Sequence, residues 1–248
     1  MASVRVCCER NVLATLPRTR AFSSRILCYH SVGTPEWGVN DVTPAQFRRQ
    51  IAVAREAGYS FAPAADVAAG TAGPRALAIT FDDGLASVAN VAPFLRDEGI
   101  PWSLFMVSDW AEGRDGFGVE GLFMDWDEVA RVAKDPLVTI GSHSVSHPRF
   151  RYLEREQAEH ELRASREAIR ERIGLDVDTF AIPMGQSQDW PAPFAGIAAD
   201  AGYSTVYAQA DANRPANTVP RTFITRWDSP RVFRAALGGA FERWEEWV

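Results

Sequence analysis

Lysine is nearly missing from this chain. Lys134 is the only one, so arginine carries almost all of the positive charge, which we read as compositional bias. Cysteine is scarce too. Cys7, Cys8 and Cys28 are odd in number, two of them are adjacent, and no CxxC pair occurs. That argues against a disulfide framework and a cysteine-based metal site, and for reduced thiols. An excess of positive charge is absent: the formal net charge is −6, which offers nothing to nucleic acid or to an anionic membrane surface. Long hydrophobic runs are absent as well, and none approaches the roughly 20 residues of a membrane span. The N-terminal stretch holds Arg5, Arg10, Arg18 and Arg20 without a continuous apolar segment, unlike a secretory signal. A cytoplasmic protein is the expectation. No internal repeat or low-complexity tract breaks up the chain.

What the chain does contain suffices for one large core, because 46% of its 248 residues are hydrophobic. One α/β barrel of about 250 residues fills this length as a single domain. Residues 1–24 read as an N-terminal extension and 25–248 as a single domain. Residues 25–29, 76–81, 102–107 and 137–141 read as buried strands, with 179–182, 205–207 and 223–225 as further short ones. Thr43 and Pro44 open a helix with the apolar stripe Phe47, Ile51 and Ala54, and Gly58 ends it. Further helices are expected at 85–98, from Asp125 through Lys134, at 153–173 and near 194–201. On the long one, Ala158, Leu162, Ser165, Ile169 and Ile173 fall at helical spacing. Its Glu/Arg-rich remainder reads as a solvated face, with Glu159 and Arg163 as an i,i+4 pair. Residues 109–121 carry four glycines and read as a loop without a P-loop pattern. Strands alternating with helices argue for βα units and a mainly parallel sheet, and six or seven units favour a barrel.

In such a barrel the functional side chains sit at the carboxyl ends of strands. That rule singles out His30, Asp82 with Asp83, Ser142 with His143, and Pro183. Residues 80–84 (TFDDG) place two adjacent carboxylates after a buried strand; alone, Asp-Asp-Gly reads equally as a turn. Residues 142–148 (SHSVSHP) place two of the four histidines four apart after another strand. Together, one carboxylate and two imidazoles offer three ligands to a divalent metal and leave positions for water and substrate. Zn2+ suits this mixed set, and Co2+, Ni2+, Mn2+ or Fe2+ also fits. The other aspartate is then free to act as general base toward a water whose pKa the metal lowers to about 7. Such a site hydrolyses an amide or an ester.

These motifs resemble those of the polysaccharide deacetylases, carbohydrate esterase family four, which share the NodB homology domain. TFDDG is similar to the family's first motif, which implies Asp82 as the general base and Asp83 as a metal ligand. SHSVSHP is similar to the second, which implies His143 and His147 as the other ligands. Residues 125–130 (DWDEVA) resemble the segment that often precedes it. ILCYHSV and FAIPMG (180–185) resemble the YHxV and FAYPYG motifs of one large branch. The resemblance covers residues 25 to 228. It implies a distorted (β/α) barrel, usually of seven strands, that removes an acetyl or other short acyl group from an N-acylated amino sugar or sugar conjugate.

The sequence departs from this pattern in places. Met184, after Pro183, replaces a tyrosine whose backbone N–H helps to hold the oxyanion in the family, a donor that methionine retains. Ile182 replaces a second tyrosine. The late LxH histidine, the family's general acid, is missing, because no histidine follows His160. His30 either assists the leaving amine or packs as a core residue, and protonated Asp82 is another proton source. The usual arginine partner of the base is not evident. Among Arg221, Arg226 and Asp228, Arg226 is the candidate, against an ordinary surface arginine. Of the rim tryptophans Trp110, Trp126, Trp190 and Trp227, Trp227 is the candidate for stacking on a sugar, although most tryptophans are simply packed.

Other functions compete. A relative of the same fold can act on a small non-sugar amide. An Fe(II) oxygenase uses a similar ligand triad, but the carboxylate comes first here and the elements read as βα units. A catalytically impaired sugar-binding module accounts for the missing late histidine, but not for intact Asp82, Asp83, His143 and His147.

Overall fold

The computed structural model describes residues 2–15, 23–209 and 214–242. Helix α1 (Ala2–Leu13) precedes strands β1 (Arg25–Tyr29), β2 (Ser31–Val32) and β3 (Asp41–Val42). Next come α2 (Pro44–Glu56), β4 (Ser60–Phe61), α3 (Ala64–Ala69), β5 (Ala76–Phe81), α4 (Ala92–Asp97), β6 (Trp102–Met106), α5 (Ser108–Ala111), α6 (Trp126–Val132) and β7 (Val138–Ser142). The chain continues through α7 (Arg155–Ile173), β8 (Thr179–Ala181), α8 (Phe194–Asp200), β9 (Thr205–Ala208), β10 (Val219–Pro220), β11 (Thr222–Phe223) and α9 (Pro230–Leu237). No helix among the described residues is long and apolar enough to cross a membrane.

Strands β2 and β3 form a small parallel pair of their own. The main sheet runs β10-β9-β8-β7-β6-β5-β1-β11, with β4 added on β5, and its pairings are parallel. Its two edge strands, β10 and β11, are consecutive in the chain and separated only by Arg221. The sheet therefore curls until its edges nearly meet, as a distorted parallel barrel. It has nine strands rather than seven. The additions, β4 and β10, have two residues each, too few to show any apolar period.

Strands β1, β5 and β6 are buried along their whole length, as continuous apolar runs in a parallel sheet require. Their side chains alternate between two cores. Leu27, Tyr29, Ile79, Phe81 and Leu104 join Phe47 and Ile51 of α2 and Leu162 of α7 in the large cluster beneath the helices. Ile26, Ala78, Phe105, Ala181 and Tyr207, from five strands around the sheet, form a smaller cluster that fills the barrel. Gly141 makes room for it: a Cβ there would stand 2.5 Å from the Phe105 ring.

Local signals explain most boundaries. Thr43 caps α2 by accepting from the Gln46 N–H (3.1 Å), and Asp125 and Glu128 form a capping box on α6. The helix expected over 85–98 is broken into a 3-10 turn (Ala86–Asn90) and α4, because Pro93 lacks the N–H that a continuous helix needs. On α7, Glu159 pairs with Arg155 (3.0 Å) rather than Arg163. Arg163 instead lines a polar hollow with Arg166, Glu167 and Asp176.

The expected extension contains α1, which is docked beside the barrel seam. Residues 16–22 lie outside the described residues. Arg10 is fully buried; its Nε and Nη2 donate to the buried Asp228 carboxylate (2.6 and 2.5 Å), and Nη2 also donates to the Phe223 carbonyl (3.1 Å). Its guanidinium lies 4.0 Å from the Phe241 ring centroid. Removing one partner of a buried pair strands the other charge. Arg10→Ala is expected to cost about 3–5 kcal/mol in urea denaturation, whereas Arg5→Ala, at a half-exposed pair with Glu9, should cost under about 1 kcal/mol. Equal losses would show that α1 does not dock.

Candidate active site

The sheet carries the motif residues to one rim. Its hydrogen bonding continues past the strand ends: the Asp82 N–H donates to the Tyr29 carbonyl (3.0 Å), His143 to Met106 (2.7 Å) and Ile182 to Tyr207 (3.0 Å). The chain then turns through left-handed backbone at Asp83 (φ 72°), Ser144 (74°), His147 (59°) and Met184 (63°). These are four of the six non-glycine residues with positive φ among the described residues. Such conformations cost about 1–3 kcal/mol each and gather at functional sites. Gly84 follows in the same conformation, and a Cβ there would stand 2.8 Å from the Met106 sulfur.

Asp83 Oδ1 lies 3.5 Å from Nε2 of both His143 and His147. One ligating atom from each of the three lies within 4.8 Å of the others. His143 Nδ1 is 2.8 Å from the Ala181 carbonyl. A carbonyl only accepts, so Nδ1 carries the proton and Nε2 turns its lone pair toward Asp83. Asp83 Oδ1 is buried and makes no hydrogen bond, a costly state for a carboxylate oxygen. An orphaned oxygen facing two imidazole nitrogens fits a divalent cation. Burial pushes the His147 pKa down to about 4 against the pull of Asp83, which leaves a neutral ring. Burial also disfavours charge on Asp83 and His143. At Asp83 the neighbouring imidazoles, His143 foremost, outweigh it and lower the pKa; at His143 the Asp82 and Asp83 carboxylates outweigh it and raise the pKa.

Asp82 has a different environment. Arg221 Nη1 and Nη2 donate to its two oxygens at 2.6 Å each, a buried fork-to-fork pair. Nη1 also donates to Thr80 Oγ1 (3.1 Å), and the guanidinium lies over the Phe105 and Tyr207 rings inside the barrel (5.4 and 6.0 Å). Burial favours a neutral Asp82, but Arg221 outweighs it, helped by His143, and holds the carboxyl well below its usual range. Cys28 Sγ lies 3.4 Å from Oδ2; burial pushes its pKa up, so it is a thiol donor.

Arg226, expected as the partner of Asp82, is elsewhere. Its Nη1 donates to the Gly38 carbonyl (3.2 Å) and its N–H to Val39 (2.9 Å), tying down the 35–40 turn. Among the described arginines, Arg221, the seam residue between β10 and β11, is the one that pairs with Asp82. The signal in the sequence was a lone charge between Val-Pro and Thr-Phe.

His30 does reach the site. It is buried, Nδ1 has no hydrogen-bond partner, and its ring packs edge-on to Phe223. Its ligating nitrogen, Cys28 Sγ and an Asp82 oxygen lie within 4.8 Å of one another, and burial lowers its pKa. Pro183 is buried and Met184 exposed. Trp227 is half-buried beside Arg226. Trp190 packs in the core with Phe150 and Phe180, and Trp126 donates to Glu112 (2.7 Å). Trp110 lies against His147 (5.1 Å between centroids) and joins Trp37, Phe117 and Phe123 in an aromatic group that sequence reasoning did not assemble.

The polysaccharide deacetylase family model matches residues 69–206, more than half of the chain. The chain belongs to the polysaccharide deacetylase family. The match includes Asp82, Asp83, His143 and His147 but ends before Arg221 and begins after His30. No curated protein matches the chain. Solved structures share the fold of this deacetylase family member. The deacetylase PplD of Streptococcus pyogenes, solved with acetate, is 19% identical with a TM-score of 0.71, covering 86% of this chain and 97% of PplD. IcaB from Ammonifex degensii is 23% identical with a TM-score of 0.70, covering 88% and 98%. A de-N-acetylase from Aggregatibacter actinomycetemcomitans is 19% identical with a TM-score of 0.68, covering 82% and 95%.

Equilibrium dialysis against Zn2+ or Co2+ should find one ion per chain, lost in Asp83→Ala, His143→Ala and His147→Ala and kept in Arg226→Ala. Full uptake by Asp83→Ala would show that its orphaned oxygen is not a ligand.

Proposed function

We propose that the protein is a metal-dependent N-deacetylase that removes an acetyl or other short acyl group from an N-acylated amino sugar or a conjugate of one. One observation carries this reading: two adjacent carboxylates share a buried rim, Asp83 facing two imidazoles and Asp82 held by Arg221. Asp83, His143 and His147 would hold the cation, and Zn2+, Co2+, Ni2+, Mn2+ or Fe2+ suits that set. When bound, it supplies Lewis-acid polarisation of a carbonyl and acidifies water toward neutral pH.

The chain's own residues handle the protons. Asp82 takes one from the attacking water as oxygen bonds to the acyl carbon. Arg221 fixes both carboxylate oxygens in place and keeps Asp82 a weak base, which gives that proton up readily. The proton passes to the amine nitrogen as the C–N bond breaks, leaving acetate and a free amino sugar. His30, beside Asp82, is placed to assist that transfer in a chain without the family's late histidine. Met184, on its left-handed turn at the rim, offers a backbone N–H to the oxyanion, with Pro183 fixing the turn and Trp227 available to a sugar face.

Acetate release from a panel of N-acetylated amino sugars tests the reading in metal-loaded protein. Asp82→Asn should lower kcat by about 10²–10⁴-fold with metal content unchanged, and Arg221→Lys should also be slow because it loses the fork. Near-normal turnover in His30→Ala with full metal would remove His30 from the chemistry. No release from any acylated substrate by loaded wild type would sink the deacetylase reading and leave sugar binding.

A further inference from the structure

We infer that Glu161 of α7 is a positioning residue that holds the loop carrying His143 and His147 in its ligand-ready shape. The inference rests on the reading of that loop as part of a metal centre.

By sequence Glu161 belongs to a solvated, charge-rich helix face. In the structure it is buried, and both carboxylate oxygens are used inside the loop. Oε2 accepts from the consecutive N–H groups of Val145 (2.8 Å) and Ser146 (3.0 Å), and Oε1 accepts from the Ser146 hydroxyl (2.7 Å). Two successive amides converging on one oxygen make an anion-binding nest, filled here by the chain's own carboxylate.

The remaining loop groups show why the carboxylate matters. His143 N–H is taken by the Met106 carbonyl, Ser144 N–H by Ser142 Oγ (3.2 Å) and His147 N–H by Ser144 Oγ (3.0 Å). The Ser144 and Val145 carbonyls accept from the N–H groups of Ser108 and Asp109 (3.1 and 2.9 Å). Every N–H from His143 to His147 is therefore paired, and Glu161 alone accounts for two of them. One turn along α7, Ser165 Oγ lies 2.8 Å from Ser142 Oγ, so the helix grips the loop at both ends of its grip face. Ser144 and His147 are both left-handed, a strained shape that persists only where the surroundings over-determine it. Charge-assisted bonds to the two amides between them supply that restraint. Without them the two imidazoles would no longer be aimed at the same point as Asp83 Oδ1.

The test is the metal dissociation constant, read beside the thermal stability of the metal-free protein. Outer partners of metal ligands typically contribute about 10–100-fold in affinity. Glu161→Gln, which keeps one acceptor oxygen, should raise the Zn2+ Kd by about 10-fold, and Glu161→Ala by up to about 100-fold. The visible spectrum of the Co2+-loaded variants should change as the histidines lose their fixed geometry. Glu167→Gln, on the exposed face of the same helix, should bind like wild type. If the Glu161 variants do not fold, Ser146→Ala removes one donor and should give a smaller rise in Kd. Unchanged Kd and Co2+ spectrum, with only thermal stability lowered, would overturn the inference and leave Glu161 a purely structural residue. Absence of metal binding by wild type is a distinct outcome, which fails the functional reading itself and the positioning role with it.

Discussion

A guanidinium enclosed by a barrel of apolar strands must find a carboxylate, and the geometry of Arg221 and Asp82 shapes much of this molecule. Desolvating two charges costs several kcal/mol per ion, which only a well-formed pair with further hydrogen bonds repays. Arg221 meets that condition through its fork on Asp82, its bond to Thr80 and the rings of Phe105 and Tyr207 beneath it. Because Arg221 stands between the two edge strands, the pair also ties the seam to the centre of the sheet. Neighbouring carboxylates thereby acquire different environments. Asp82 is charge-balanced by arginine, while Asp83, one residue later and past the turn, faces imidazoles. Environment rather than residue type would divide the roles proposed for them.

The legible parts of the fold were those in which a run of residues repeats one physical fact. Strands β1, β5 and β6 are uninterrupted apolar runs because both faces are buried. TFDDG and SHSVSHP stood out because scarce chemical groups cluster after such runs. The parts that could not be read depend on register or on distant partners. Strands β4 and β10 are two residues long. Nothing in the sequence prefers Arg221 to Arg226, the expected partner of Asp82, until the seam position of Arg221 is known. Arg10 looks like one more surface arginine until α1 is laid against Asp228. Pro93 is the one readable signal for the break in the 85–98 segment.

Helix α7 shows a subtler limit. Helical periodicity correctly placed Ala158, Leu162, Ser165 and Ile169 on the buried face, and it correctly left His160 exposed. Periodicity gives a direction, however, and not what lies in that direction. Glu161 borders the apolar stripe, and the surface it meets is a loop whose amides need an acceptor. A glutamate is costly to bury against hydrocarbon and well suited to bury against two unpaired N–H groups.

The same reasoning bears on the missing late histidine. Neighbouring strands gather polar groups around Asp82: Cys28 and His30 from the end of β1, Thr80 from β5 and Arg221 from the seam between β10 and β11. Strands β1, β5 and β11 are consecutive neighbours in the sheet. The residues proposed to hold the cation extend the other way, to Asp83 and to the loop after β7. In the proposed reading the rim is divided, and the sheet's β1 side would serve the proton while its β7 side would serve the cation. Asp82 and Asp83 sit at the boundary, where the left-handed backbone at Asp83 and Gly84 separates the two environments. His30, just after β1, lies within 4.8 Å of an Asp82 oxygen on the β1 side of that boundary, so a histidine from early in the chain is compatible with the proposed chemistry.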